Sequence, residues 1–116
     1  MNKKERKKEY ERLYYLKNKK EIDIYRKDWL KNIKKQRRNE IIRLLGNKCI
    51  ICGYKGLALQ IDHINGGGRR EFLKCSKRPA RYYKKILESI KRNEGKYQLL
   101  CANCNWEKRY KNNEYN

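Results

Sequence analysis

The chain has 116 residues, of which 40% are charged and only 38% are hydrophobic. Because so few apolar side chains make a thin core, we expect a bound metal to contribute to folding. The 33 Lys and Arg against 13 Asp and Glu give a formal net charge of +20, which favours a polyanionic partner, namely nucleic acid. A membrane protein is disfavoured, because no apolar run approaches the roughly 20 residues that span a bilayer. No signal peptide is evident either, so we expect a cytoplasmic protein with reduced cysteines.

Residues 1–46 predict a basic helical arm, with 17 basic and 7 acidic side chains and no Pro or Gly before Gly46. Asn18 and Glu21 have the form of a helix start, which predicts two helices at about residues 3–17 and 19–45, ended by Gly46. Apolar side chains recur mostly every three or four positions, as in Tyr10, Leu13, Tyr14, Ile22, Tyr25, Trp29, Ile33, Ile41, Leu44 and Leu45. This stripe could pack on the rest of the chain or pair with a second copy, giving a homodimer through the N-terminal helices.

Residues 47–116 predict a second domain of mixed α and β structure. A short strand is expected from Leu57 to His63, and a loop follows because glycines occupy 66–68. Pro79 suits the first turn of a helix with an apolar face, and residues 97–100 predict a strand that leads to Cys101. A last helix is expected to begin around Asn103.

Two cysteine pairs predict a structural zinc site. Cys49 and Cys52 form one Cys-x-x-Cys motif, and Cys101 and Cys104 form another after 48 intervening residues. Four thiolates fill a tetrahedral shell and leave no position for substrate, so the metal would join two segments of chain. The alternative is a redox pair or disulfides. Cys75 lies outside both pairs and is expected to be a free thiol.

The lone histidine, His63, follows Asp62 and precedes the glycine loop, whereas Asn105 follows the fourth cysteine. Hydrolysis of a phosphodiester needs a general base, a divalent cation and positive charge, and these three side chains could contribute to the first two requirements. Because neighbouring strand residues point to opposite faces, Asp62 and His63 can converge only if the strand ends there, which the glycines permit. The alternatives are a salt-bridged structural histidine and an asparagine that merely caps a helix.

Taken together, three motifs resemble a zinc-containing HNH endonuclease. They are Cys49-x-x-Cys52, the segment Ile61-Asp62-His63-Ile64-Asn65-Gly66-Gly67, and the segment Leu100-Cys101-Ala102-Asn103-Cys104-Asn105-Trp106 followed by x-Lys108. The resemblance covers residues 47–110 and implies an α+β fold with a ββα-metal (His-Me finger) core and a zinc held by four cysteines. Asn in the last position is similar to the phage recombination endonuclease VII group, and it would place the protein in a bacterial or phage-infected cell.

The resemblance also implies roles for individual residues. His63 would be the general base, and Asp62 and Asn105 would hold a catalytic Mg²⁺ or Mn²⁺. Asn93, with Asn103 as the second choice, would be the central Asn that supports the loop of the base. The expected partner is DNA, double-stranded or branched, and the candidate phosphate contacts are Arg69, Arg70, Lys108 and Arg109.

Two other functions fit part of the sequence. A non-catalytic, zinc-stabilised nucleic-acid-binding module would share the cysteines and the charge, and an RNA- or ribosome-associated protein would share the lysine-rich arm. Neither function explains why Asp62 and His63 precede glycines or why Asn105 follows the fourth cysteine.

Overall fold

The computed structural model describes residues 1–112; residues 113–116 of the predicted second domain lie outside this range. The fold is α+β, with one long N-terminal helix, a two-stranded sheet and three shorter helices. The elements are α1 (Lys3–Leu44), β1 (Leu59–His63), α2 (Gly68–Lys74), α3 (Pro79–Lys91), β2 (Tyr97–Cys101) and α4 (Ala102–Lys111). The chain divides into two compact units, residues 1–33 and 34–116.

The first unit is the helical arm, and it contains a kink where the sequence predicts a break. Asn18 has non-helical angles, φ −109° and ψ 17°, inside α1. Its side-chain Nδ2 donates to the backbone oxygen of Tyr14 at 2.9 Å. The non-helical angles of Asn18 divide α1 into two helical segments, as predicted, but the side chain bonds backward to the preceding turn instead of capping the second segment. Many large apolar side chains of the arm are exposed, among them Tyr10, Leu13, Tyr14, Leu16, Ile24, Tyr25, Trp29 and Leu30.

The second unit begins at Lys34 and therefore includes the last turns of α1, whereas the sequence predicts a boundary after residue 46. The reason is packing, because Ile41 is fully buried against Ile86 and Tyr97. Gly46 has a φ of 102° just after α1, which agrees with its predicted role in ending the helix.

The sheet pairs β1 with β2 in antiparallel register, with Leu59 opposite Cys101 and His63 opposite Tyr97. The strand predicted from residue 57 begins two residues later, at Leu59. Both strands contribute to a small core of Cys49, Leu59, Leu99, Leu100, Cys101 and Cys104. Helix α4 follows β2 without a loop, so its first turn is held at the end of the sheet.

Two helices connect the strands. Helix α3 begins at Pro79, as predicted, and buries Ile86. Helix α2 is a seven-residue segment that the sequence analysis does not predict, and it begins at Gly68 directly after the two positive-φ glycines 66 and 67. Within residues 1–112, no helix has both the length and the apolar character needed to cross a bilayer.

Candidate active site and metal centre

The four predicted cysteines come together although two of them lie 49 or more positions from the others. The Sγ atoms of Cys49, Cys52, Cys101 and Cys104 all lie within 4.8 Å of one another. The turn at Cys49 is closed by two backbone bonds, from its N–H to Tyr54 O and from Gly53 N–H to Cys49 O, each of 2.9 Å. Cys101 ends β2, and its Sγ accepts the backbone N–H of Cys104 at 3.4 Å. The second pair is thus placed by the junction between β2 and α4.

The spacing of the sulfurs fits a tetrahedral metal. Zn–S bonds of about 2.3 Å in a tetrahedron place sulfurs about 3.8 Å apart, and the Sγ atoms of Cys52 and Cys101 are 3.6 Å apart. None of the five cysteines forms a disulfide. The cluster can therefore hold a metal ion such as zinc, and it lies at the end of the sheet away from His63.

The electrostatics of the cluster also favour a cation. Burial raises the pKa of the Cys49 thiol, but backbone N–H groups of Cys52 and Cys101 outweigh it and lower that pKa to about 6. The Cys101 side chain, together with burial, raises the pKa of Cys104 to about 12. One thiolate therefore suppresses ionisation of its neighbour, because the two negative charges repel each other. A bound divalent cation would offset this repulsion. Cys75 is fully buried at the end of α2 and is not part of the cluster.

Asp62 lies in β1 with its side chain 8% exposed, and it is fully paired. Gln98, its partner across the sheet, donates Nε2–H to Oδ2 at 2.9 Å. The ammonium of Lys108 lies 3.1 Å from the same oxygen and also donates to the backbone oxygen of His63 at 3.1 Å. Lys108, predicted to contact phosphate, is therefore directed inward onto the carboxylate.

Asn105 lies in the first turns of α4 and has one unpartnered atom. Its Nδ2 donates to Gln60 Oε1 at 2.6 Å, whereas its Oδ1 is buried without a hydrogen bond within residues 1–112. Gln60 and Asp62 are two positions apart in β1, and Asn105 and Lys108 are three positions apart in α4. The helix therefore places Asn105 beside Gln60 and Lys108 beside Asp62. A buried carbonyl oxygen without a donor is suited to a cation.

His63 ends β1 and is held by an acidic residue that the sequence analysis overlooks. Its Nε2 lies 3.0 Å from Glu71 Oε2, and the hydroxyl of Tyr82 is 3.3 Å from the same nitrogen. Tyr97 donates its hydroxyl to the other Glu71 oxygen at 2.5 Å. A signal for Glu71 is present in the sequence, because it is the only acidic residue between Asp62 and Glu88.

The structure brings five of the predicted site residues to one pocket of about 400 Å³. Its lining comprises Ile61, Asp62, His63, Gly66, Gly67, Gly68, Arg69, Asn105 and Arg109. Asp62 and His63 are adjacent in β1, and both are among the residues that line this pocket. The lining thus includes one aspartate, one histidine, one asparagine and two arginines.

The remaining predicted residues do not line this pocket. Arg70 is an exposed residue of α2. Asn93 has a φ of 56° in the turn after α3 and lines a different pocket, together with Lys96 and Tyr97. Asn103, the second choice for the central Asn, is exposed in α4.

Comparison with known proteins finds no match: no family model, no curated protein and no solved structure matches this chain.

Proposed function

We propose that the second unit is a metal-dependent endonuclease of the HNH type, with a ββα-metal core, that hydrolyses DNA phosphodiester bonds. The observation that carries the proposal is the pocket shared by Asp62, His63 and Asn105. These residues were selected from sequence motifs separated by about 40 positions, and a purely structural role would not require them to meet. The two arginines that complete the pocket supply the positive charge that a phosphodiester requires.

The donor atoms of the pocket fit a hard divalent cation. Asp62 offers a carboxylate, and the buried Oδ1 of Asn105 has no hydrogen-bond donor within the described chain. Mg²⁺ and Mn²⁺ prefer oxygen ligands, and Mg²⁺ commonly uses one or two carboxylates together with waters. The cysteine cluster offers sulfur ligands, whereas the pocket offers oxygen ligands. Zinc would therefore bind at the four cysteines, and Mg²⁺ or Mn²⁺ would bind in the pocket.

The residues of the pocket would carry out the proton transfer and bind the phosphate. His63 takes a proton from water, the water oxygen forms a bond to phosphorus, and the bond from phosphorus to the 3′ oxygen breaks. The departing 3′ oxygen takes a proton from solvent water and His63 releases its proton to solvent, so the products are a 5′-phosphate and a 3′-hydroxyl. Arg69 and Arg109 bind the phosphate oxygens as negative charge increases on them. The bound cation would supply Lewis-acid stabilisation of the phosphate and of the departing oxygen.

One observation favours the alternative of a binding module without catalysis. The Lys108 ammonium already neutralises Asp62 at 3.1 Å, which is what a cation would do at that carboxylate. In the nuclease, Lys108 must leave Asp62 when the divalent cation binds. In a binding module the ion pair would be permanent, and the pocket would hold phosphate through Arg69 and Arg109 alone.

Plasmid nicking separates these two functions. The zinc-loaded protein is incubated with supercoiled DNA, with and without Mg²⁺ or Mn²⁺, beside His63→Ala and the larger His63→Gln variant. We expect nicking that depends on the divalent cation and falls by about 10²-fold or more in both variants, while zinc content and circular dichroism are unchanged. DNA binding without any cation-dependent nicking by the parent protein would reject the nuclease.

The arm has a proposed role in DNA binding. Its Lys and Arg residues would contact the backbone of double-stranded or branched DNA and release counterions. The exposed apolar residues, such as Tyr25 and Trp29, would pair two copies of the chain in a homodimer with two active sites. A cytoplasmic location accompanies this proposal, because DNA and reduced thiols are found together there.

A further inference from the structure

We propose that Glu71 is the residue that positions His63, by holding the imidazole with its proton on Nε2 and its lone pair on Nδ1. This inference rests on the proposed function, in which His63 is the general base. No motif in the sequence analysis includes Glu71, which lies in a helix that the analysis does not predict.

The contact is short and partly buried. The two partners are 3.0 Å apart, and the side chains are 11% exposed for His63 and 27% exposed for Glu71. An ionised carboxylate has only acceptor sites, so the imidazole nitrogen that faces it must carry the hydrogen. In a neutral ring the other nitrogen, Nδ1, is then left with its lone pair, which is the form that a general base requires.

The geometry on the Nδ1 side agrees with this assignment. A Cβ built on Gly68 would lie 2.8 Å from Nδ1, so the space beside that nitrogen exists only because residue 68 has no side chain. Gly68 and His63 line the same pocket as Asp62 and Asn105. Nδ1 makes no hydrogen bond to any residue in the range 1–112, whereas Nε2 has two possible partners. The two nitrogens therefore have separate environments, one inward and one toward the glycines.

Two tyrosines keep the pair in place. Tyr97 packs edge-on against the imidazole, with ring centroids 4.9 Å apart, and its hydroxyl donates to Glu71 Oε1. Tyr82 stacks on the same imidazole, at a centroid distance of 6.0 Å. Burial, and then the hydrogen bond to Glu71, raises the pKa of Tyr97, so this phenol stays neutral and remains a donor. The hydrogen bond from Tyr97 thus fixes the orientation of the Glu71 carboxylate against the imidazole, as in carboxylate–histidine pairs elsewhere.

The single histidine allows a direct test by nitrogen-15 NMR. Long-range proton–nitrogen spectra of the tag-free protein at about pH 8 show only one imidazole, and they report which nitrogen carries the hydrogen. We expect the Nε2–H tautomer in the parent protein and a shift toward a mixture of tautomers in Glu71→Ala. The matched control is Glu88→Ala, which removes an exposed carboxylate from α3 and should leave the spectrum unchanged. An Nδ1–H tautomer in the parent protein, or an unchanged spectrum in Glu71→Ala, would overturn the inference.

Kinetics provide the second readout. We expect Glu71→Ala to lower kcat for nicking by about 10- to 100-fold, with KM for DNA and zinc content unchanged, because Glu71 belongs neither to the lining of the pocket nor to the cysteine cluster. Tyr97→Phe should give a smaller loss in the same parameter. If the parent nicks DNA and Glu71→Ala matches Glu88→Ala, the positioning role fails while the nuclease stands. If the parent does not nick DNA, the proposed function fails and the inference fails with it, whatever the tautomer.

Discussion

Lys108 provides the sharpest test of whether Asp62 binds a cation, and the informative change is Lys108→Met. Methionine keeps most of the apolar stem and removes the charge. In the metal-free protein the change leaves a nearly buried carboxylate with Gln98 as its only remaining side-chain partner among residues 1–112. Loss of one member of a buried ion pair costs roughly 3–5 kcal/mol. We place this case at about 3 kcal/mol, because Gln98 still donates to Oδ2.

The same change should strengthen divalent-cation binding. A hydrogen bond between charged groups contributes about 1.5–3 kcal/mol, and the cation must displace this contact in the parent protein. Since about 1.4 kcal/mol corresponds to a factor of ten in affinity, we expect Lys108→Met to bind Mn²⁺ about 10- to 100-fold more tightly. Millimolar Mn²⁺ should then recover much of the lost thermal stability, because ligand binding stabilises only the folded state.

The assay is titration of the zinc-loaded protein with Mn²⁺, followed by electron paramagnetic resonance or calorimetry. The matched control is Lys111→Met, which removes an exposed lysine from the same helix and should change affinity little. Equal or weaker Mn²⁺ binding by Lys108→Met would show that the ammonium and the cation do not compete. Asp62 would then not be a metal ligand, and the binding module without catalysis would be favoured.

Two further predictions concern the zinc cluster and the glycine loop. Cys104→Ala should lower zinc content below one per chain and abolish cooperative thermal unfolding of the second unit, because structural zinc contributes on the order of 10 kcal/mol to the free energy of folding. Cys75→Ala is the control. Equal zinc loss in both variants would contradict the assignment of the four cysteines. Gly68→Ala should lower nicking and shift the His63 resonances while zinc content stays constant, because the new Cβ would lie 2.8 Å from Nδ1 and the ring is confined by Tyr82 and Tyr97. Parent-like nicking with unchanged resonances would show that the imidazole can move aside without loss.

The sequence was most informative where the chemistry of a residue requires a particular set of neighbours. Two Cys-x-x-Cys pairs in one short chain are typical of a metal site, so the cluster of four sulfurs could be predicted without a fold. The strand break after His63 was predictable because consecutive glycines cannot continue a strand. The break between two helical segments at Asn18 was predicted correctly, but the partner of its side chain was not, because an asparagine can bond forward as a cap or backward to the preceding turn.

The contacts of Lys108 and Glu71 could not be predicted. In a chain with 33 basic residues, nothing local distinguishes a lysine that pairs with a buried carboxylate from one that faces solvent. Glu71 reaches His63 only because a short helix forms after the glycines and turns back toward β1. Helix α2 has seven residues, which is too short for a periodic apolar pattern to reveal it.

By itself, the sequence determined the kinds of donor atoms present: four thiols that can hold a metal ion, and the carboxylate, imidazole and carboxamide that the proposed phosphodiester chemistry would use. Tertiary structure alone decided which of these atoms already have a hydrogen-bond or ion-pair partner and which could bind a cation. The antiparallel register of β1 and β2 brings Gln98 to Asp62, and α4 brings Lys108 to the same carboxylate. The physical reason is that ligand type is a property of single residues, whereas availability depends on which charges and hydrogen-bond donors the fold places within about 3 Å.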